Sequence, residues 1–502
     1  MTILIIVESP SKCKKIESYL GNGYKCIATY GHFRSLESLK DIKITNDNLT
    51  INFSTTKGKE KNISTMSKEI KKASEILIAT DDDREGEAIG WHICDYFKLP
   101  FTTKRIIFHE ITKPAILKAV KNPLQINMSM VYAQHCRQVL DLLVGYKISP
   151  CLWTHISRTQ NLSAGRCQTP ALSLIYDNQT IIDNQDYSKV YNISGLFTSK
   201  NVSFTCHHKL KKESEILDFL NLSVDFNYAF EMSKISKIKK TPPMPFITSS
   251  LQQYANTYNN YSPKETMSLC QKLYENGFIT YMRTDCAKYS NEFVKDGHVF
   301  IEREYGKEYL REEIKLITLF DNKKSDNKLA QEAHEAIRPT NIEIIDIGDK
   351  FSSKEKKMYS IIRIRTLETL MSNAIYESFN IKIKAPMDSY YSQTFQKPIF
   401  LGWQIVNNKP QETFFLFFAS ISKENIILNK VIAKETVSNL KGHLNEAQMI
   451  QMLEKKGIGR PSTFASIVDK LQTRGYVKKK NVSGKKIKTK EFTLIEKKNK
   501  NN

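Results

Sequence analysis

Ala79-Thr80-Asp81-Asp82-Asp83-Arg84-Glu85-Gly86 follows directly on the apolar run Ile76-Leu77-Ile78 and sets Asp81, Asp83 and Glu85 at alternate positions. In an extended backbone alternate side chains share a face, so the three carboxylates would converge on one point. Close anions repel unless a cation neutralises them, and a hard, oxygen-seeking ion such as Mg²⁺ suits the trio. Two other readings stand beside this one: a solvated acidic loop, and a calcium loop of the EF-hand kind. The second fails, because a β-type run rather than a helix precedes the stretch and its twelfth position is His92, not Glu.

Working outward, Ile3-Leu4-Ile5-Ile6-Val7 is a second apolar run, rich in β-branched residues, that ends at an acid, Glu8. Such runs mark strands buried on both faces of a parallel sheet. Ligands of open α/β sheets bind at the carboxyl ends of the strands, so Glu8 is expected to share one crevice with Asp81, Asp83 and Glu85, with Lys12 nearby for a phosphate. With helices over 12–20 and 87–97 and a strand over 105–108, residues 1 to about 120 read as an α/β domain.

Beyond it, the periodicity predicts a helix over 131–146 with Arg137 and Asp141 four apart. The turn 162–170 presents Arg166 and hydroxyls to a phosphate backbone, or is a plain helix start capped by Ser163 or Thr169. Antiparallel β structure is expected over 185–240, a linker at 239–245 and helix over 249–276. In Gly277-Phe278-Ile279-Thr280-Tyr281-Met282-Arg283-Thr284-Asp285, strand alternation would place Arg283 beside Tyr281. A cation there favours phenolate and holds a phosphate, which would activate an otherwise poor nucleophile; a core or base-stacking tyrosine is the plain alternative. His334 and Arg338, four apart on what reads as a helical turn, could grip a phosphate together, and 444–477 reads as helix-turn-helix.

Length suggests roughly three domains. A net charge of +22, from 75 basic against 53 acidic residues, points to a polyanion, foremost a nucleic acid, even allowing for a lysine-rich composition of the kind AT-rich coding produces. Nine cysteines without a Cys-x-x-Cys pair give neither a zinc ribbon nor a disulfide framework. No signal peptide and no run near the roughly eighteen apolar residues of a membrane span are present, so a soluble protein of cytoplasm or nucleus, without a membrane, is expected. No phosphate-binding loop of the Walker A kind occurs, and nothing predicts ATP hydrolysis.

Taken in order, ESPSK, TDDDREGEAIGWH, FHEIT, LDLLVGYKISPCLW, LSAGRCQTPAL, PPMPFITSSLQQ, GFITYMRTD, HEAIRPT and GIGRPSTFASIVDKL resemble the motifs of the type IA DNA topoisomerases, from Glu8 to about Val477. The resemblance implies a multi-domain α/β, α and β architecture: a TOPRIM domain and a toroidal core around a hole for DNA. It divides the chain into a TOPRIM domain at 1–120, a helical DNA-binding domain at 121–184 and 435–480, a β-rich arch at 185–245 and 375–434, and a tyrosine-bearing domain at 246–374. Residues 481–502 are expected to form a basic, disordered tail.

It also implies an ATP-independent monomer acting on a single-stranded segment of underwound DNA: a tyrosine cuts one strand, leaving a 5′-phosphotyrosyl link, another strand passes, and the break is resealed. On that basis Tyr281 is the nucleophile, Arg283 holds the scissile phosphate, Glu8 is the general acid with Lys12 near the phosphate, and Glu8, Asp81, Asp83 and Glu85 hold Mg²⁺. His334, Arg137, Arg166 and Arg338 would contact DNA. Gln138 and Leu142 depart from the pattern, standing where members of the topoisomerase I type carry further arginines, whereas Met282 and TDDDREGEA lean to that type. Neither the zinc ribbons common in bacterial members nor, for want of a helicase domain, a reverse gyrase is expected from this chain. A different TOPRIM enzyme, such as a nuclease or primase, needs the acids but not Tyr281 and Arg283; a non-catalytic DNA-binding protein needs neither.

Overall fold

The computed structural model describes residues 2–45, 48–158, 162–208, 210–319, 335–407, 414–421, 426–438, 440–484 and 486–495. The expected N-terminal strand is β1 (Ile3–Val7), with Leu4 to Val7 essentially inaccessible. It lies between β2 (Tyr24–Ala28) and β3 (Glu75–Ala79), parallel to both, with Val7 opposite Ala28 and Ala79. Because the three strands end in register, Glu8 and Thr80-Asp81 leave the sheet side by side. Helix α1 (Pro10–Leu20) starts on a proline at its first turn, where a missing N–H costs nothing, and α2 (Glu60–Lys72) returns the chain to β3.

Helix α3 spans Arg84–Phe97 and begins earlier than expected, because Asp83 is its N-cap and accepts the Gly86 N–H at 2.8 Å. The acidic stretch is therefore extended only as far as Asp83, and Glu85 belongs to the first helical turn. The expected strand at 105–108 shrinks to bridges from Arg105 to Ile78 and Leu124, since the chain leaves the sheet edge to carry His109 and Glu110 toward the site.

Helix α4 (Lys113–Lys121) leads to the long α5 (Met128–His155), then α6 (Gln168–Asn184). The arch is an eight-stranded sheet that includes β4 (Ser188–Phe197), β5 (Val202–Cys206), β6 (Phe230–Met232) and β7 (Ser236–Lys240). The stretch 185–240 is not purely β: Glu213–Leu222 is a helix, α7, because Ile216, Phe219 and Leu220 recur at helical spacing and bury one face. The single helix expected over 249–276 is two, α8 (Thr248–Asn259) and α9 (Pro263–Glu275). They are broken by left-handed Asn260 and restarted by Ser262, whose side chain caps α9, and Pro263.

Further on lie α10 (Asn291–Tyr305) and α11 (Ser353–Leu370), then the hairpin of β8 (Ala374–Ala385) and β9 (Ser389–Phe400). Strand β10 (Leu428–Ser438) crosses the boundary expected at 434/435. The helix-turn-helix reading corresponds to α12 (Glu446–Lys455) and α13 (Phe464–Thr473). The tail is not wholly disordered: β11 (Glu491–Ile495) pairs antiparallel with β10, supplying ladder hydrogen bonds to the sheet edge and packing Phe492 and Leu494 against the arch core.

One core joins distant parts of the chain. Ile5, Val7, Leu77 and Ala79 pack in the same cluster as Leu251, Leu273, Tyr274, Ile279, Tyr281 and Met358. At this seam Gly277 has φ +69°, and a Cβ there would stand 2.4 Å from the Ile111 carbonyl oxygen and 2.9 Å from Lys15 Nζ. Gly277→Ala should therefore cost about 1–3 kcal/mol, from a left-handed alanine and a backbone clash. Thermal denaturation checks this, and an unchanged melting temperature would show that the seam yields. No described helix is long and apolar enough to cross a membrane.

Candidate active site

The strand ends determine the centre. Asp81 N–H donates to Glu8 Oε1 at 2.8 Å. Lys12, on the first turn of α1 and fully buried, pairs with the Asp81 carboxylate. Behind them Arg105, at 0% exposure, bonds Glu87 Oε1 at 2.7 Å, the Thr80 carbonyl at 3.0 Å and the Asp81 carbonyl at 2.9 Å, fixing the backbone that carries the acids. Asp82 meets His109 Nε2 at 2.7 Å.

Tyr281 comes from the far side of the seam. Its N–H is held by the His109 carbonyl at 2.7 Å, and its hydroxyl donates to Asp83 Oδ2 at 2.7 Å. Arg283 Nη1 stands 3.3 Å from the same oxygen and 3.3 Å from Glu85 Oε2. The expected strand through Tyr281 is absent: Ile279 makes one bridge to Pro339, and the loop is held instead by Thr280, whose N–H donates to the Arg338 carbonyl. The pairing of Tyr281 with Arg283 survives because both reach one carboxylate.

Burial shapes the charges. Glu8 is pushed up to about 8, by burial first and then by Asp81 and Asp83. Burial pulls Lys12 down, but Asp81 and Glu8 outweigh it and its pKa rises. For Asp83, burial is outweighed by Arg283, the Gly86 N–H and Tyr281, and the carboxyl is held low. Tyr281 is raised well above its ordinary value by burial, Asp83 and Asp81. The phenolate that a neighbouring cation was expected to favour is thus disfavoured in this state: burial, Asp83 and Asp81 outweigh Arg283, which itself pairs with Asp83 and Glu85.

From Arg283 a chain of alternating charge leads outward. Arg137 stands 3.9 Å from Glu85 and 3.9 Å from Asp141, and Arg166 bonds Asp141 at 3.0 Å. Arg338 is placed differently from the expectation. It is buried, paired with Glu335 at 2.7 Å and Glu110 at 3.1 Å, so its guanidinium ties the seam together and does not stand on the open surface. The described part of its segment is extended rather than a helical turn, because Pro339 disfavours a helical backbone at the residue before it. His334 lies outside the described residues.

Among the described residues no three His, Cys, Asp or Glu side chains are disposed around one point as a ready metal cage. Helix α3 turns Glu85 away from strand alternation, and Lys12, Arg283 and Arg137 occupy the carboxylates. The donor set nevertheless suits a hard cation: Glu8, Asp81 and Asp83 are oxygen ligands near enough to raise the pKa of Glu8 through their charge. Sequence reasoning missed the Asp82–His109 contact, the Arg105–Glu87 pair and Tyr274, whose ring lies 5.2 Å from that of Tyr281. Only the stretch FHEIT, which holds His109 and Glu110, carried a signal.

A profile of the DNA topoisomerase family matches residues 125–497 and one of the Toprim domain matches 3–111. The DNA topoisomerase 1 of Buchnera aphidicola subsp. Schizaphis graminum is 37% identical over 95% of this chain, which spans 59% of that relative's length. That of Helicobacter pylori strain 26695 is 37% identical over 99% of this chain and 69% of its own. The structure of full-length topoisomerase I from Thermotoga maritima superposes with a TM-score of 0.81 at 34% identity, covering 95% of this chain and 79% of that one. With a family profile over most of its length and a Toprim domain before it, this chain belongs to the type IA DNA topoisomerase family.

Proposed function

We propose that the chain cuts and reseals one DNA strand without ATP, relaxing negatively supercoiled DNA through a 5′-phosphotyrosyl intermediate. The observation that carries this reading is the Tyr281 hydroxyl, 2.7 Å from Asp83 Oδ2, across 198 residues of chain and beside Arg283. A Toprim nuclease or primase has no use for that contact.

Tyr281 Oη attacks phosphorus while its proton passes to Asp83, and the bond from phosphorus to the 3′ oxygen breaks. Glu8, mostly protonated at neutral pH, gives its proton to the leaving oxygen. Arg283 turns from Asp83 and Glu85 to the phosphate oxygens and stabilises their charge in the transition state. Lys12 serves the same phosphate. Arg137 and Arg166 would guide the strand inward, and His334 would contact DNA. A Mg²⁺ ion, when bound, would be held by the carboxylates of Glu8, Asp81, Asp83 and Glu85 and supplies positive charge near the phosphate. One phosphodiester is exchanged for another, so resealing needs no added energy source. The substrate is a single-stranded segment of underwound DNA and the acting unit a monomer.

The test uses a single-stranded oligonucleotide labelled at one end or the other, incubated with the protein and denatured. A 3′ label should stay with the protein and a 5′ label should not. Transfer of the 5′ label, or of neither, overturns the proposal.

A further inference from the structure

Tyr274, near the end of α9, is a buried polar group that the proposed reaction does not use. It is 0% exposed, and its hydroxyl has no hydrogen-bond partner among the described residues. An enclosed phenol without an acceptor costs stability that a phenylalanine of the same shape would spare. A hydroxyl kept on such terms needs a reason, and a partner in another state of the molecule supplies one.

The Lys12–Asp81 pair beside the ring points to that partner. Burial and then the charges of Asp81, Glu8, Asp82 and Glu275 push the phenol pKa up, with Asp81 foremost among the carboxylates. Asp81 is the partner of Lys12, and the Lys12 ammonium sits 5.0 Å from the centre of the Tyr274 ring. If Lys12 turns to a phosphate before a metal ion is bound, Asp81 loses the ammonium that neutralises it, which opposes the movement unless another donor takes its place.

We propose that Tyr274 is the reserve donor for Asp81: as Lys12 moves to the scissile phosphate, the Tyr274 hydroxyl takes its place on the carboxylate. The inference rests on the reading of the site as a strand-cleaving centre. Tyr274 is then a positioning residue, whose ring supports Lys12 and Tyr281 in both states and whose hydroxyl acts in one.

Tyr274→Phe keeps the ring and removes only the hydroxyl. Its melting temperature should equal or exceed that of the wild type, while formation of the covalent adduct at saturating oligonucleotide should slow at least tenfold, about 1.4 kcal/mol. Adduct formation within twofold of wild type, or a loss accompanied by a lower melting temperature, overturns the proposal. A second measurement needs no activity. In Lys12→Ala the phenol should already hold Asp81, so Lys12→Ala with Tyr274→Phe should lose more thermal stability than the two single changes summed; additivity overturns the exchange. Absence of adduct in the wild type would instead count against the strand-cleaving reading, and the two failures are thereby told apart.

Discussion

Tyr281→Phe should yield a folded protein that relaxes no plasmid. The phenylalanine fills the same buried space against Tyr274, so the packing at the seam survives. What disappears is the only atom of the side chain able to attack phosphorus, together with one hydrogen bond to Asp83. That carboxylate keeps the Gly86 N–H and Arg283, so the stability cost should stay near 1 kcal/mol, the typical net worth of one hydrogen bond. The measurement compares both proteins on negatively supercoiled plasmid with Mg²⁺ and no ATP, alongside their melting temperatures. The variant should fall below detection with its fold intact. Relaxation by the variant would remove Tyr281 from the reaction, and a loss explained by unfolding would leave its role undecided by this substitution and return the question to the end-labelling experiment.

The sheet was the most legible part of the fold, because its physics is local. Ile3–Val7 and Ile76–Ile78 announce buried parallel strands by composition alone, and parallel register then brings Glu8 beside Asp81. The reasoning from alternation was less secure: it assumed an extended backbone through Glu85, whereas Asp83 is also a good N-cap, and capping won. The partners of the acids were not legible. Lys12 stands 69 residues from Asp81 and Arg283 stands 200 from Asp83, and no periodicity reports such a meeting. Arg338 shows the same blindness from the other side. A basic residue in a basic chain reads as a DNA contact until Glu110 and Glu335 are seen to enclose it. Strand β11 was hidden because a lysine-rich flank masks the alternation of Phe492 and Leu494.

Arg105→Met should cause a larger loss of stability than Gly277→Ala or Tyr281→Phe. Arg105 is fully buried, and its guanidinium satisfies Glu87, Thr80 and the Asp81 carbonyl at once. Methionine matches much of the stem but leaves Glu87, 1% exposed, with the Asn127 N–H as its remaining donor among the described residues. Removing one partner of a buried ion pair typically costs about 3–5 kcal/mol, since the other charge is stranded in a poorly solvating interior. The effect should reach the chemistry, because the freed carbonyls lie on the strand end that aims Asp81 at Lys12 and Glu8. Denaturation by urea measures the first effect and adduct formation the second. A companion variant separates them: adding Glu87→Met removes the stranded charge and should restore much of the stability, but it cannot restore the donors to Thr80 and Asp81. If the double variant regained cleavage as well as stability, Arg105 would act only by neutralising Glu87, and the anchoring of the acidic strand end would have to be sought in Asp83 and the first turn of α3.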